Sequence, residues 1–164
     1  MREMRARLKE EDSEPPQVDG AWAYYSRFRP GGQHRVYCRR PRGGGEERVL
    51  IDGDARAAGA PFFRLAAAAQ SPDHGKFAWS ADDLGSEILT ICVRDIKGAE
   101  DLPDRIVNAT DDLVWTRDSK ALLYVEQDES HRPFRVMLHR LGTPQSEDVS
   151  VFLFYARSCH RICR

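Results

Sequence analysis

The segment "SPDHGKFAW" (residues 71–79) returns 45 positions later as "TRDSKALLY" (116–124), and its counterpart 54 positions earlier is "QVDGAWAYY" (17–25). Asp73 meets Asp118 and Asp19, and Trp79 meets Tyr124 and Tyr25, without a gap. Further along, Ile91 meets Val136 and Tyr37, Val93 meets Leu138, and Cys92 meets Cys38. Each copy reads as an Asp-bearing turn, a strand, a polar hairpin, a strand, a turn and a strand. A period of ~40–50 residues with about four strands per unit is the signature of a propeller blade. One blade cannot bury both faces, so each copy needs a neighbour on either side.

The strand signals are aromatic and β-branched runs bounded by Gly, Pro and Asp. They fall at Ala21–Phe28, His34–Arg40, Glu47–Asp52, Phe62–Ala69, Lys76–Ser80, Glu87–Arg94, Leu113–Thr116, Ala121–Glu126 and Phe134–Arg140. "SPDHGK" is the tight turn between the first two strands of a blade, with Pro72 presetting φ, Asp73 bonding local backbone and Gly75 taking φ > 0. Residues 2–11 read as a short helix with Met1, Met4 and Leu8 on one stripe, stopped by Pro15-Pro16. Asp54–Ala60 reads as one helical turn. The aromatics Trp22, Tyr24, Tyr25, Trp79, Trp115 and Tyr124 recur at blade spacing and are expected to pack between blades. The expected fold is all-β: a partial β-propeller of about three blades of four-stranded antiparallel sheet, with a short N-terminal helix. Residues 1–16 form the helix and linker, 17–154 the blades, and 155–164 a tail. Phe62, Phe63, Leu122 and Val136 are expected on faces meant for neighbours, which predicts self-association through exposed blade edges.

Charge and motifs exclude several functions. Lys plus Arg is 25 and Asp plus Glu 26, for a net charge of −1, which favours neither nucleic acid nor anionic lipid as a partner. The basic cluster Arg39–Arg42 is offset by Glu46 and Glu47 and reads as a solvated loop. No run approaches ~18 apolar residues, so no membrane span is expected. The N-terminus has no apolar h-region, which predicts the cytoplasm. Cys38 and Cys92 read as buried free thiols. Cys159, His160 and Cys163 lack the second pair that a closed zinc site needs, so no metal is expected. "PRGGGEE" lacks a following Gly-Lys-Ser/Thr, so no phosphate cradle and no cofactor are expected. No G-x-S-x-G elbow is present: Ser86 lies in "LGSEI" and Ser146 in "PQSED". His34, His74, His131, His139 and His160 therefore have no nucleophile to serve, and no catalytic residue is expected.

The non-repetitive pieces carry a resemblance. "GGQH", "LIDGDA", "DDLGSE" and "HRLGTPQSED" occur in order within "EMRARLKEEDSEPPQVDGAWAYYSRF…", "FFRLAAAAQSPDHGKFAWSADDLGSEILTICVRD", "EDLPDRI" and "VWTRDSKALLYVEQDESHRPFRVMLHRLGTPQSEDV". Over roughly residues 3–151 the chain resembles the N-terminal region of the oligopeptidase B (protease II) group of the prolyl oligopeptidase family of serine peptidases. The resemblance implies a seven-bladed propeller capping an α/β-hydrolase domain that cleaves short peptides after Lys or Arg. It also implies that nucleophile, acid and base lie in the hydrolase domain, beyond the stretch resembled here. Short basic peptides and the missing hydrolase domain are then the expected partners. "SADDLGSE" places Asp82, Asp83 and Glu87 around one hairpin. They read as a solvated turn, or with Glu87 and Asp83 toward the hydrolase domain or the entry path, steering a cationic peptide.

Two departures are visible. "EMRARLKEED" normally follows a further segment, and "LFYARSCHRICR" does not resemble the family. The expectation drawn from them is a frameshift or early stop in a longer gene, which blade or hydrolase codons downstream would support. Two functions follow from the sequence: a truncated piece of a serine peptidase, inactive alone, or a free-standing propeller-like interaction module.

Overall fold

The computed structural model describes residues 13–154. Among them the strands are β1 (Gln17–Asp19), β2 (Trp22–Arg27), β3 (Val36–Pro41), β4 (Arg48–Asp52), β5 (Arg64–Gln70), β6 (Lys76–Asp82), β7 (Leu89–Asp95), β8 (Glu100–Trp115), β9 (Ala121–Gln127), β10 (Pro133–Arg140) and β11 (Val149–Leu153). A single helical turn, α1 (Gly53–Ala57), joins β4 to β5, capped by the Asp52 side chain on the Ala55 N–H. The expected N-terminal helix over residues 2–11 and the tail 155–164 lie outside the described residues.

The repeated turn folds the same way in the second and third copies. The Ser71 hydroxyl donates to Asp73 Oδ1 (2.5 Å) and accepts the Lys76 N–H (2.8 Å). Thr116 does the same with Asp118 (2.7 Å) and Ala121 (3.0 Å). The left-handed residue follows the Asp in all three copies: Gly20 (φ 57°), His74 (φ 57°) and Ser119 (φ 58°). This corrects the expectation for Gly75, whose neighbour His74 takes the positive φ instead. His74 tolerates the conformation because its ring is held: Nδ1 bonds the Tyr24 hydroxyl at 3.0 Å. Gly20 is required twice over, since a Cβ there would also lie 2.8 Å from His74 Nε2.

The pairing gives a four-stranded sheet, β1-β2-β3-β4, and a seven-stranded sheet, β11-β10-β9-β8-β7-β6-β5, with neighbouring strands antiparallel throughout the described residues. The second sheet is two blades sharing one strand. The first part of β8 pairs with β7 (Ile91↔Ile106, Asp95↔Glu100) and its last part with β9 (Val114↔Leu123, Trp115↔Leu122). Asn108, at φ 61°, sits where the strand changes partner. Three blades of four strands result, the second closed and the third opened by β8.

Each blade has a rear face toward the preceding blade and a forward face toward the next. Strand β6 is buried on both, which is why "FAWSA" is an uninterrupted small or apolar run. Its Phe77, Trp79 and Ala81 pack rearward with Tyr24, Leu50 and Ile51 of the first blade. Ala78 packs forward, with Ile91, Val93 and Ile106, against Trp115, Leu122, Tyr124 and Met137 of the third. Each large apolar side chain so buried contributes about 1.5–3 kcal/mol. Trp115 Nε1 also donates to the Ala69 carbonyl across the second interface (3.0 Å).

Two expectations are corrected here. Leu122 is fully buried and faces the second blade, and Phe63 packs on the first core, so neither lies on a free face. Arg39 is no solvated loop residue. It is buried on β3, with its guanidinium carbon 3.9 Å from the Trp22 ring centroid and an N–H to the His74 carbonyl at 2.6 Å. It fastens the first blade to the turn of the second.

Glu47 joins β2 to the loop before β4, accepting from Arg27 (2.6 Å) and from the Tyr25 hydroxyl (2.7 Å). The Arg27 hydrogen bonds, against the opposing effect of burial, hold its carboxyl down at about 2. A depressed carboxyl stabilises the fold above its ordinary value and loses that contribution as pH falls through the folded one. Stability should therefore decline between about pH 4.5 and 2, and Glu47→Gln should flatten that part of the slope. Urea midpoints measured across the acid range check this; equal slopes in both proteins would contradict it.

Candidate functional site

The hairpin between β6 and β7 is organised around one buried carboxylate. Asp82 Oδ1 accepts the N–H groups of Leu84 (3.0 Å), Gly85 (2.8 Å) and Ser86 (3.2 Å), and Oδ2 accepts that of Glu87 (2.8 Å). Burial pushes the Asp82 carboxyl up, but the four N–H groups outweigh it and hold it below the ordinary value. Asp82 is thus the scaffold of the hairpin and is 1% exposed. Its chelated loop forces Glu87 into φ 63°.

The two residues expected to steer a peptide sit on the surface of this hairpin. Asp83 lies 3.8 Å from Arg105 of β8, and both side chains are more than half exposed. Such a pair contributes at most about 1 kcal/mol. Glu87 is exposed, and among the described residues its carboxylate has no hydrogen bond or ion pair. The structure places both on one hairpin, with Asp83 engaged and Glu87 unengaged.

A second cluster lies inside the third blade. His139 of β10 presents Nδ1 to Asp148 Oδ1 (2.7 Å) and Nε2 to Asp104 Oδ1 (3.1 Å). The three side chains are 1%, 0% and 2% exposed. Each contact requires a proton on the ring nitrogen or on the facing oxygen. Asp148 Oδ2 also accepts the Tyr124 hydroxyl (2.9 Å), and Asp104 Oδ1 accepts the Gly142 N–H (2.5 Å). Gln145 completes the loop: its amide exchanges two hydrogen bonds with the Val107 backbone (3.0 and 2.9 Å). The segment 141–148 is thereby fixed onto β8 and β9.

A His–carboxylate pair is also two of the three members of a hydrolytic triad. In a triad the second ring nitrogen faces a hydroxyl at the surface of a cleft. Here it faces a second buried carboxylate, so the cluster organises the blade and has no nucleophile to activate. The Cys38 thiol offers none either, since burial pushes it up to about 12. Among the described residues no group of three or more His, Cys, Asp or Glu is placed to hold a metal ion. Cys159, His160 and Cys163 lie outside them. No helix among the described residues is long and apolar enough to cross a membrane.

The His139 cluster was not singled out from sequence, although a signal existed. Met137 and His139 alternate with Val136 and Leu138, so His139 occupies an inward position, where an imidazole demands partners.

Comparison with known proteins gives one family throughout. The prolyl oligopeptidase N-terminal β-propeller domain matches over residues 1–162. The dipeptidyl aminopeptidase BI of Pseudoxanthomonas mexicana is 34% identical, across 92% of this chain and 23% of its own length. Protease 2 of Moraxella lacunata is 25% identical, across 89% of this chain and 22% of its own length. Among solved structures, oligopeptidase B from Leishmania major superposes with a TM-score of 0.89 at 30% identity, covering 94% of this chain and 22% of that one. The chain therefore spans less than a quarter of the length of these relatives.

Proposed function

Since the chain belongs to the family of prolyl oligopeptidase N-terminal β-propeller domains, we propose that it is part of the substrate-gating propeller of an oligopeptidase B-like serine endopeptidase acting on short peptides after Lys or Arg. The chemistry is supplied by a hydrolase domain outside these 164 residues. The observation that carries this reading is the likeness of nearly the whole chain to the propeller of oligopeptidase B; the buried His139 pair, which ends on Asp104 and not on a serine, is consistent with it. The likeness to oligopeptidase B supports the substrate class. The relatives' names span a dipeptidyl aminopeptidase and a protease. Within this part, Glu87 is the carboxylate available to attract a cationic peptide, with Asp83 restrained by Arg105.

The test is a chimaera in which this chain replaces the corresponding segment of the Leishmania major enzyme. The chain alone should leave a Lys- or Arg-terminated reporter peptide intact, and the chimaera should cleave it. Cleavage by the chain alone, or a folded chimaera without activity, would contradict the proposal.

A further inference from the structure

At the end of the array that carries the β6–β7 hairpin, an open cleft of about 610 Å³ lies between the second and third blades. Its walls come from those two blades. Ile88 belongs to the β6–β7 hairpin, beside Glu87, and Asn108 to the point where β8 changes partner. Gln127, Asp128, Glu129 and Phe134 belong to the hairpin joining β9 to β10.

The polar groups here are mostly acceptors. Gln127 is 9% exposed. Its Nε2 donates to the Ala109 carbonyl (3.3 Å), and its own carbonyl accepts the Asn108 side-chain amide (3.0 Å). Its Oε1 has no hydrogen-bond partner among the described residues. A buried acceptor left in that state is unfavourable, and a donor brought to it removes the loss. Asp128 Oδ1 accepts the N–H groups of Arg132 (3.0 Å) and Ser130 (2.8 Å), which hold its carboxyl below the ordinary value. Glu129 is exposed, and among the described residues its carboxylate has no hydrogen bond or ion pair. Glu126, also on the cleft, is taken up by Arg135. His131 is the remaining titratable side chain of the lining.

We propose that this cleft holds the side chain of a Lys or Arg residue of a bound peptide, at a position away from the scissile bond. Ammonium and guanidinium groups are donors only, and they meet here the Gln127 Oε1 and the carboxylates of Asp128 and Glu129. Ile88 and Phe134, 36% and 42% exposed, supply apolar walls for the aliphatic stem. The Phe134 ring already carries one guanidinium, Arg135, at 5.5 Å from its centroid, the contact that a bound Arg makes with an aromatic wall. A neutral or acidic side chain would leave the carboxylates unanswered. The choice of a peptide as occupant rests on the function proposed above; the preference for a cationic group rests on the cleft itself.

Titration of the full chain, followed by backbone amide NMR, tests it with acetyl-Ala-Arg-Ala-amide and the same peptide carrying citrulline, which keeps the shape of Arg without its charge. The Arg peptide should shift the amides of Ile88, Asn108 and the β9–β10 hairpin, saturating on the order of 1 mM. The citrulline peptide should bind at least ~10-fold more weakly. Glu129→Gln should weaken the Arg peptide roughly 3–5-fold. Gln127→Met should weaken it about 3–10-fold without lowering the melting midpoint, since the oxygen it removes has no partner in the free chain. Glu100→Gln, at the β7–β8 turn on the opposite end of the array, should leave binding unchanged. The free chain reads binding without cleavage, so an inactive chimaera would contradict the endopeptidase reading and leave a positive titration standing. No saturable shift, equal binding of both peptides, or binding indifferent to Glu129→Gln and Gln127→Met would each overturn the proposal.

Discussion

His139→Ala should lower the stability of the chain by about 3–5 kcal/mol, because it leaves two buried carboxylates facing each other without the ring between them. Asp104 comes from β8 and Asp148 from the loop before β11, so the imidazole also ties the start of the last strand to the centre of the seven-stranded sheet. For a chain of this size each kcal/mol is worth about 2–4 °C in the melting midpoint. A fall of roughly 6–20 °C is therefore expected on a circular dichroism melt. Replacing all three polar side chains together, as Asp104→Leu, His139→Met and Asp148→Leu, should cost less than the sum of the single losses, since no charge is then left unpaired. A loss below ~1 kcal/mol for His139→Ala would mean that water reaches the carboxylates and the cluster does not hold the blade.

Asp82→Ala should cost about 2–4 kcal/mol, since it strips the acceptor from four backbone N–H groups, each worth on the order of 1 kcal/mol when its partner goes. Leu84, Gly85 and Glu87 are exposed and water can reach them, which keeps the loss below the full sum. Asp82→Asn should cost less, because the amide retains one acceptor oxygen but presents N–H to N–H at the other position. The sign with pH follows from the depressed carboxyl. Its contribution is complete above the ordinary value near ~4 and is lost as pH falls through the folded value. The difference between the wild-type and Asp82→Asn urea midpoints should therefore shrink on acidification. A difference that stays constant or grows would refute the chelation of the hairpin by Asp82. The same variants test how Glu87 is held, because Asp82 Oδ2 accepts its N–H.

Much of this architecture was legible because the repeat is carried by turn chemistry. Asp19, Asp73 and Asp118 mark the same corner, and Trp79, Tyr25 and Tyr124 the same strand position, so the repeat alone counts three blades. The first part of β8 was missed for a physical reason. Its inward positions are Leu102, Asp104 and Ile106, and a buried Asp breaks the apolar alternation that marks a strand. The edge strands β1 and β11 were missed because exposed residues at a sheet margin carry no inward pattern. At the hairpin, sequence grouped Asp82, Asp83 and Glu87 as equals. Only their surroundings separate a carboxylate consumed by four N–H groups from one paired with Arg105 and one left unengaged. Composition could not place Arg39 either, since burial over Trp22 is a tertiary fact about a residue that reads as surface charge.

The function proposed for these 164 residues is to shape and gate a peptidase whose nucleophile lies in another domain. Intact-mass analysis after incubation with a fluorophosphonate serine probe tests it most directly. The chain should remain at its unmodified mass, while the chimaera carrying the hydrolase half gains one adduct on a serine of that half. A stoichiometric adduct on any serine of this chain would contradict the claim.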